Sequence, residues 1–314
     1  MRIAIIGAGM AGLACADALK PGGFEITVFE KSRGTGGRLA TRRSEIGGFD
    51  HGAQFVTARD NGFKAYLKRA KSAGYAARWK TPASGEDVWW TGRPGMSGLV
   101  KPLADGLALR KGERVTGLSA AKGGWTLHLE TGEEEGFDAV LLAIPVQQAL
   151  DLLTEHAGSF SALSEVSIAP SWTVLLGFKK PVPISDDVIR HSGPIAWAAR
   201  ENARPKRDNK HERWVIQASA DWSRDNLEDY GAAVLEVMRE AFAEAVGAPL
   251  PELIHADAHR WRYAKVETAL GQPCLWDKGL GLGLAGDWCL APRVEAAFLS
   301  GRALADAVMA THGR

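Results

Sequence analysis

Arg2 to Ile6 is apolar after its first residue, which predicts a short buried strand. Residues 10–19 follow with a helical apolar pattern, and Pro21-Gly22-Gly23 stops it. Glu25 to Glu30 reads as a second strand. The N-terminus is therefore a strand–helix–strand unit. Lys31 to Arg43 is basic and glycine-rich with no apolar period, which predicts a loop running into a short helix. Residues 60–80 read as an amphipathic helix through Phe63, Tyr66, Leu67 and Ala70. A loop or strand is expected over 87–98 and a helix over 98–107. Three strands follow at 113–118, 124–130 and 137–144, with Thr131-Gly132 turning between the last two. The third is apolar almost throughout, as in a strand buried on both faces. Pro145 ends it, and a helix is expected over 146–154.

The pattern changes after residue 165. Alternating strands are expected at 171–179 and 213–219, with a polar linker from Lys206 to Arg213. Residues 225–246 predict an amphipathic helix through Leu227, Val234, Leu235, Met238, Phe242 and Val246, ended by Gly247 and Pro249. In the strand 255–263, His259, Trp261 and Tyr263 share one face, and Arg260 and Arg262 the other. A glycine-rich strand at 280–285 and a helix at 294–310 close the chain.

At 314 residues, the chain can build one large or two modest cores. Its net charge of +1 lacks the basic footprint of a nucleic-acid binder or a polybasic membrane anchor. No stretch reaches the ~18 apolar residues of a membrane span. Cys15, Cys274 and Cys289 form no C-x-x-C pair and no disulfide framework. A reducing, cytoplasmic setting is expected. Ile3 to Leu19 is not read as a signal peptide, because cleavage near Ala16 would destroy the glycine pattern described next. Eleven tryptophans stand against four tyrosines, and one or two are expected to wall a flat ligand.

Gly7-Ala8-Gly9-Met10-Ala11-Gly12 directly follows a strand and opens a helix. Gly7 suits a tight turn, Gly9 a close pyrophosphate, and Gly12 close helix–strand packing. Glu30, ending the second strand, can accept from ribose hydroxyls and would repel a 2′-phosphate. That favours FAD or NAD over NADP at this site. After Glu30 come Lys31 and Gly36-Gly37-Arg38, where Arg38 can offer its fork to a phosphate.

This run resembles the glutathione-reductase-like and amine-oxidase-like FAD flavoproteins. Gly286-Asp287-Trp288 and Val294-Glu295-Ala296-Ala297 resemble the C-terminal flavin motif of the same superfamily. The resemblance puts Asp287 near the ribityl or pyrophosphate, and a helix N-terminus at the flavin pyrimidine edge. Val115 matches the position that touches adenine through backbone, with Ala143 and Ile144 beside the same ligand. A single glycine fingerprint argues against a separate NAD(P)H domain.

The segment Phe49 to Asp60 is more discriminating. Asp50-His51-Gly52-Ala53-Gln54, with Thr57-Ala58-Arg59-Asp60 after it, resembles the renalase-like branch of the superfamily. So do His259 to Ala264 and Arg293 to Gly301. Residues 150–250 are supported by order and length alone. The resemblance implies an α/β fold. A Rossmann-type FAD-binding domain (1–58, 95–150 and 265–314) is interleaved with a mixed-sheet substrate domain (59–94 and 151–264), its helices over the flavin. It implies non-covalent FAD on Gly7 to Gly12, Glu30, Lys31, Gly37, Arg38, Gly52 to Phe55, Val115, Ala143, Gly286, Asp287 and Val294 to Ala296. Cys289 lies near enough in sequence to raise a thioether link as the alternative. His51, Gln54, Trp261 and Tyr263 are the expected substrate-facing residues. The plain structural readings are a hydrogen-bonded His51 and a core face for His259, Trp261 and Tyr263.

The resemblance also implies the reaction. A 2- or 6-dihydro isomer of NAD(P)H would pass a hydride to flavin N5, and dioxygen would reoxidise the flavin to give hydrogen peroxide. Hydride loss restores aromaticity, so no strong base is required. The sequence shows no nucleophile triad, paired carboxylates or metal cluster, which is compatible with catalysis by placement. An amine oxidase or desaturase of the same fold stays open. So does a non-catalytic FAD-binding protein. The isomer and the oligomeric state are not legible.

Overall fold

The computed structural model describes residues 1–121 and 123–312. Its first layer is a six-stranded sheet in the order Leu275–Asp277, Leu282–Leu284, Ala139–Leu142, Arg2–Ile6, Glu25–Glu30, Ala108–Lys111. Neighbours are parallel except at the Leu275–Asp277 edge. The central strands are apolar on both faces because both are covered. Helices Met10–Leu19 and Val294–His312 pack on one. Helix Val146–Leu153 and a three-stranded sheet (Val115–Ala121, Gly124–Leu129, Gly132–Phe137) pack on the other. A Cβ at Gly301 would strike the carbonyl oxygen of Ala11, so that glycine sets how closely the two covering helices approach.

Several elements differ from expectation. The short helix before Arg43 is a single 3₁₀ turn, Gly37–Leu39, and Arg42–Ser44 is a strand paired with Gly47–Phe49. The helix expected over 60–80 stops at Ser72. Gly74 turns the chain at φ 84°, and Ala76–Trp79 then pairs with Trp89–Gly92. The helix expected over 98–107 is only Lys101–Ala104 after a 3₁₀ turn, and Ala108–Lys111 joins the main sheet instead. The helix expected over 225–246 is two, Ala220–Asp225 and Gly231–Val246. Glu228, in the break, receives hydrogen bonds from both Arg260 and Arg262.

The second large sheet has five strands in the order Val188–Ser192, Ile195–Arg200, Glu212–Ala218, Ser167–Phe178, Leu253–Thr268. It is antiparallel at every pairing, not mixed as expected. A short turn joins its first two strands, and parallel neighbours would have needed long crossovers. One row of paired residues runs Trp197, Gln217, Thr173, His259 across four strands. Directly opposed residues share a sheet face. The other face carries Trp172, Val174, Leu176, Trp214 and Ile216, and helix Gly231–Val246 covers it through Val234, Met238 and Phe242. That helix therefore backs the far face of the sheet rather than lying over the cavity. No described helix is long and apolar enough to cross a membrane.

Candidate active site

A cavity of about 2650 Å³ runs between the two large sheets. Sites for a single drug-sized ligand are commonly about 300–1,000 Å³, so this one has room for a dinucleotide cofactor and a second molecule.

The glycine loop forms one end. Gly7 sits at φ 106°, and a Cβ there would lie 2.6 Å from the Ala143 carbonyl oxygen. A Cβ on Gly12 would strike the Gly7 carbonyl oxygen. Gly9 is different: its Cβ would meet nothing within 4 Å, and the residue opens onto the cavity. Gly9 caps the helix with no side-chain hydrogen bond, which leaves the first-turn N–H groups for an anion. Glu30 accepts from the amides of Ala8 (2.9 Å) and Ser32 (2.8 Å). Each oxygen retains a lone pair for a ribose hydroxyl. Lys31 and Val115 line the same end. This cradle fits a dinucleotide diphosphate.

The N- and C-terminal motifs meet directly. Arg38 donates to both carboxylate oxygens of Asp287, at 2.9 and 2.6 Å, and to the Ala264 carbonyl at 3.2 Å. Its fork is thus held by a carboxylate in the cavity wall, where a phosphate partner was expected. Gly286, Val294, Gly37, Gly52, Ala53 and Phe55 also line the cavity. Four expected cofactor residues do not: Ala8, Gly12, Glu295 and Ala296. Ala8 and Gly12 shape the turn from behind. Glu295 accepts from the amides of Arg59 (2.6 Å) and Asp60 (2.7 Å), so its carboxylate anchors a loop. Ala297, three residues after Val294 and so on the same helix face, lines the cavity instead. None of the three cysteines lines it, Cys289 included.

His51 and Trp261 form an aromatic wall. Their rings lie 5.1 Å apart, and His259 stands edge-on to both at 4.9 and 4.5 Å. Trp261 Nε1 donates to the His51 carbonyl at 2.9 Å, tying the substrate-side strand to the Gly52-Ala53 segment. Burial first, then the neighbouring His259 and Arg42, push His51 down to about 4, so its ring is neutral near pH 7. Its Nδ1 is buried without a hydrogen-bond partner. Arg42 pairs with Asp257 and places an N–H 3.2 Å from His259 Nδ1. Arginine only donates, so Nδ1 accepts and the His259 proton resides on Nε2. Tyr263 lines the cavity farther along the strand.

Gln54 also lines the cavity, yet its amide is used by the protein. Nε2 donates to the carbonyls of Asp50 and Gly52, and Oε1 accepts from Arg204. Its expected substrate-facing role gives way to positioning the Gly52-Ala53 turn. Behind it lies a cluster that the sequence did not reveal. Asp50 and Glu201 are fully buried with Arg204 and Arg207. Asp50 Oδ1 also accepts from Thr41 (2.6 Å) and the Met96 amide (2.8 Å). A second aromatic group was missed too. Phe55 stacks on Trp89 at 3.9 Å, and Trp197 closes on both. No local period marks either cluster, since the partners lie far apart in sequence.

Residues 69–309 match the profile of the flavin containing amine oxidoreductases, and residues 5–70 match an NAD(P)-binding Rossmann-like domain. The chain belongs to the flavin-containing amine oxidoreductases. It is an FAD-dependent oxidoreductase. Within that family it is similar to mouse renalase, at 24% identity over 86% of each chain. A diapophytoene desaturase of Staphylococcus aureus is 42% identical, but over 19% of this chain and 12% of its own length. Among solved structures, a protoporphyrinogen oxidase candidate from Exiguobacterium superposes with TM-score 0.78 at 14% identity, covering 98% of both chains. A putrescine oxidase variant superposes at 0.72 with 13% identity, again covering 98% of both. At such identities these likenesses speak to the fold, and the flavoenzyme family is carried by the profile match.

Proposed function

We propose that this oxidoreductase oxidises 2- or 6-dihydro isomers of NAD(P)H, with dioxygen as terminal acceptor and hydrogen peroxide as product. The observation that carries the reading is the charge of the cavity. The chain as a whole is nearly balanced, with 38 lysines and arginines against 37 aspartates and glutamates. The cavity lining has sixteen of the former and six of the latter, and nine of the sixteen form no ion pair among the described residues. A field of that sign attracts anions and repels cations. Simple amines enter as ammonium cations, whereas a dinucleotide brings a diphosphate beyond that of the cofactor. The field therefore favours a nucleotide substrate over an amine.

Bound FAD supplies the hydride acceptor, held non-covalently. The chain supplies placement. First-turn amides after Gly9 would hold the cofactor diphosphate, and Glu30 its ribose. The His51–Trp261 wall offers a flat ring a surface on which to stack, and His259 Nε2–H offers a donor beside it. With His51 neutral, that ring adds no charge of its own against the positive charge that develops on a nicotinamide ring as hydride leaves. No general base is required, because the product ring is aromatic.

Anaerobic mixing of the yellow holoprotein with each isomer tests the reading through the visible flavin absorbance. Rapid bleaching by one isomer, with slow or no bleaching by ordinary 4-dihydro NAD(P)H, is expected. No bleaching by either isomer would overturn the proposal, and amines would be tried next.

A further inference from the structure

We propose that Arg190, Trp197 and Trp89 form a second subsite in this cavity, which binds the phosphate-bearing nucleotide tail of the substrate. The inference rests on the function proposed above and adds where the non-reacting half of the molecule is held.

Arg190 lies on the edge strand Val188–Ser192 and reaches back over the sheet's cavity face. Its guanidinium carbon stands 5.4 Å from the Trp89 ring centre and 5.0 Å from that of Trp197. Both are within cation–π range. One N–H donates to the Ala83 carbonyl at 3.0 Å. The fork makes no ion pair among the described residues, unlike Arg38, Arg207 and Arg213 around the same cavity. An arginine braced on indoles with spare donors is suited to a phosphate. Trp197, half-buried, gives a nucleobase a stacking surface, and Trp89, buried between Phe55 and Arg190, stiffens it from behind. The neighbouring His191 lines the cavity at φ 50°, a left-handed conformation that is uncommon outside glycine and recurs at ligand-binding turns. Asp87 is the acidic residue on this stretch of the wall, and it is exposed.

Position separates this subsite from the reacting end. Trp197 and His259 belong to one row of paired residues, three strand spacings apart. At ~4.8 Å per spacing, the two aromatic groups are about 14 Å apart. One small ring cannot touch both. A molecule with a ring at each end of a diphosphate linker can.

The test uses FAD-loaded protein and two substrates, a dihydronicotinamide dinucleotide isomer and the matching riboside, which has no phosphate. The apparent Kd of each is read from the concentration dependence of anaerobic flavin reduction. In Arg190→Ala, binding of the dinucleotide should weaken about tenfold more than binding of the riboside, the loss expected of one charge-assisted hydrogen bond. Arg190→Lys keeps the charge and should recover part of that difference. Equal losses for the two substrates, or no loss, would overturn the subsite. If no isomer reduces the flavin, the proposed function fails, and the subsite is judged by titrating ADP-ribose against tryptophan fluorescence of the holoprotein. Binding about tenfold weaker in Arg190→Ala then upholds it. Unchanged or absent binding overturns it.

Discussion

Asp50 shows how much one side chain does behind the cavity. Burial by itself would raise its carboxyl, but Arg207 and Arg204, with hydrogen bonds from Thr41 and the Met96 amide, hold it below the usual carboxylate range. Glu201 goes the other way. Burial first, with the Asp50 charge adding to it, pushes Glu201 up to about 7 from 4.5 against the pull of Arg204 and Arg207. Two carboxylates share one dry site, and one ionises at the other's expense. A folded pKa above the unfolded one means that the folded state binds the proton more tightly. The Glu201 contribution to stability is therefore complete below pH 4.5 and is lost as pH rises through about 7. Asp50 has the opposite sign and loses its contribution only as pH falls. Glu201→Gln removes the first titration. The wild-type Tm, measured against that variant, should decline as pH rises across the window. A constant difference across it would show that Glu201 does not titrate there. Asp50 stood inside a quoted motif, but its partners did not, because Glu201, Arg204 and Arg207 follow about 150 residues later.

At the scale of elements, the glycine loop separates folding from cofactor binding. Gly12→Ala drives a methyl group into the Gly7 carbonyl oxygen. The first turn cannot form around it, so both Tm and flavin content should fall. Gly9→Ala meets no protein atom within 4 Å, and its methyl group projects only where the diphosphate would lie. The apoprotein Tm should stay near wild type while FAD occupancy drops. Flavin content per chain and thermal unfolding of the apo forms separate the two cases. Equal Tm losses in both variants would refute the distinction. The strand–helix–strand unit was legible because its signals are local: strand, glycine turn, apolar helix, stop. The expected helix over 60–80 failed at its end for a physical reason. Ala76–Trp79 takes its structure from pairing with Trp89–Gly92, beyond a turn at Gly74. The break at 226–230 was equally hidden, since Glu228 earns its place by meeting arginines on another strand.

For the whole molecule, the main feature is a cavity far more basic than the chain that builds it. Screening should therefore act on binding more than on chemistry. The Debye length shortens from ~10 Å at 0.1 M ionic strength to ~3 Å at 1 M. The apparent KM for an anionic dinucleotide should rise over that range, with kcat changing less, in steady-state peroxide release. A KM indifferent to salt would argue that the cavity charge plays no part in capture. The same imbalance predicts poor competition by simple amines.

The sequence by itself determined the cofactor class, the glycine turn between the first strand and helix, and the flavoprotein resemblance, because each is written in contiguous residues whose backbone needs are local. It also named His51 and Trp261, whose rings the fold brings to 5.1 Å from each other. Only the tertiary structure decided that Arg38 faces Asp287, that Gln54 turns inward to Arg204, and that Arg190 rests on Trp89 and Trp197. Those contacts follow from strand pairing and burial between distant segments. Such pairings depend on which faces the folded layers bring together, and no period along the chain records that.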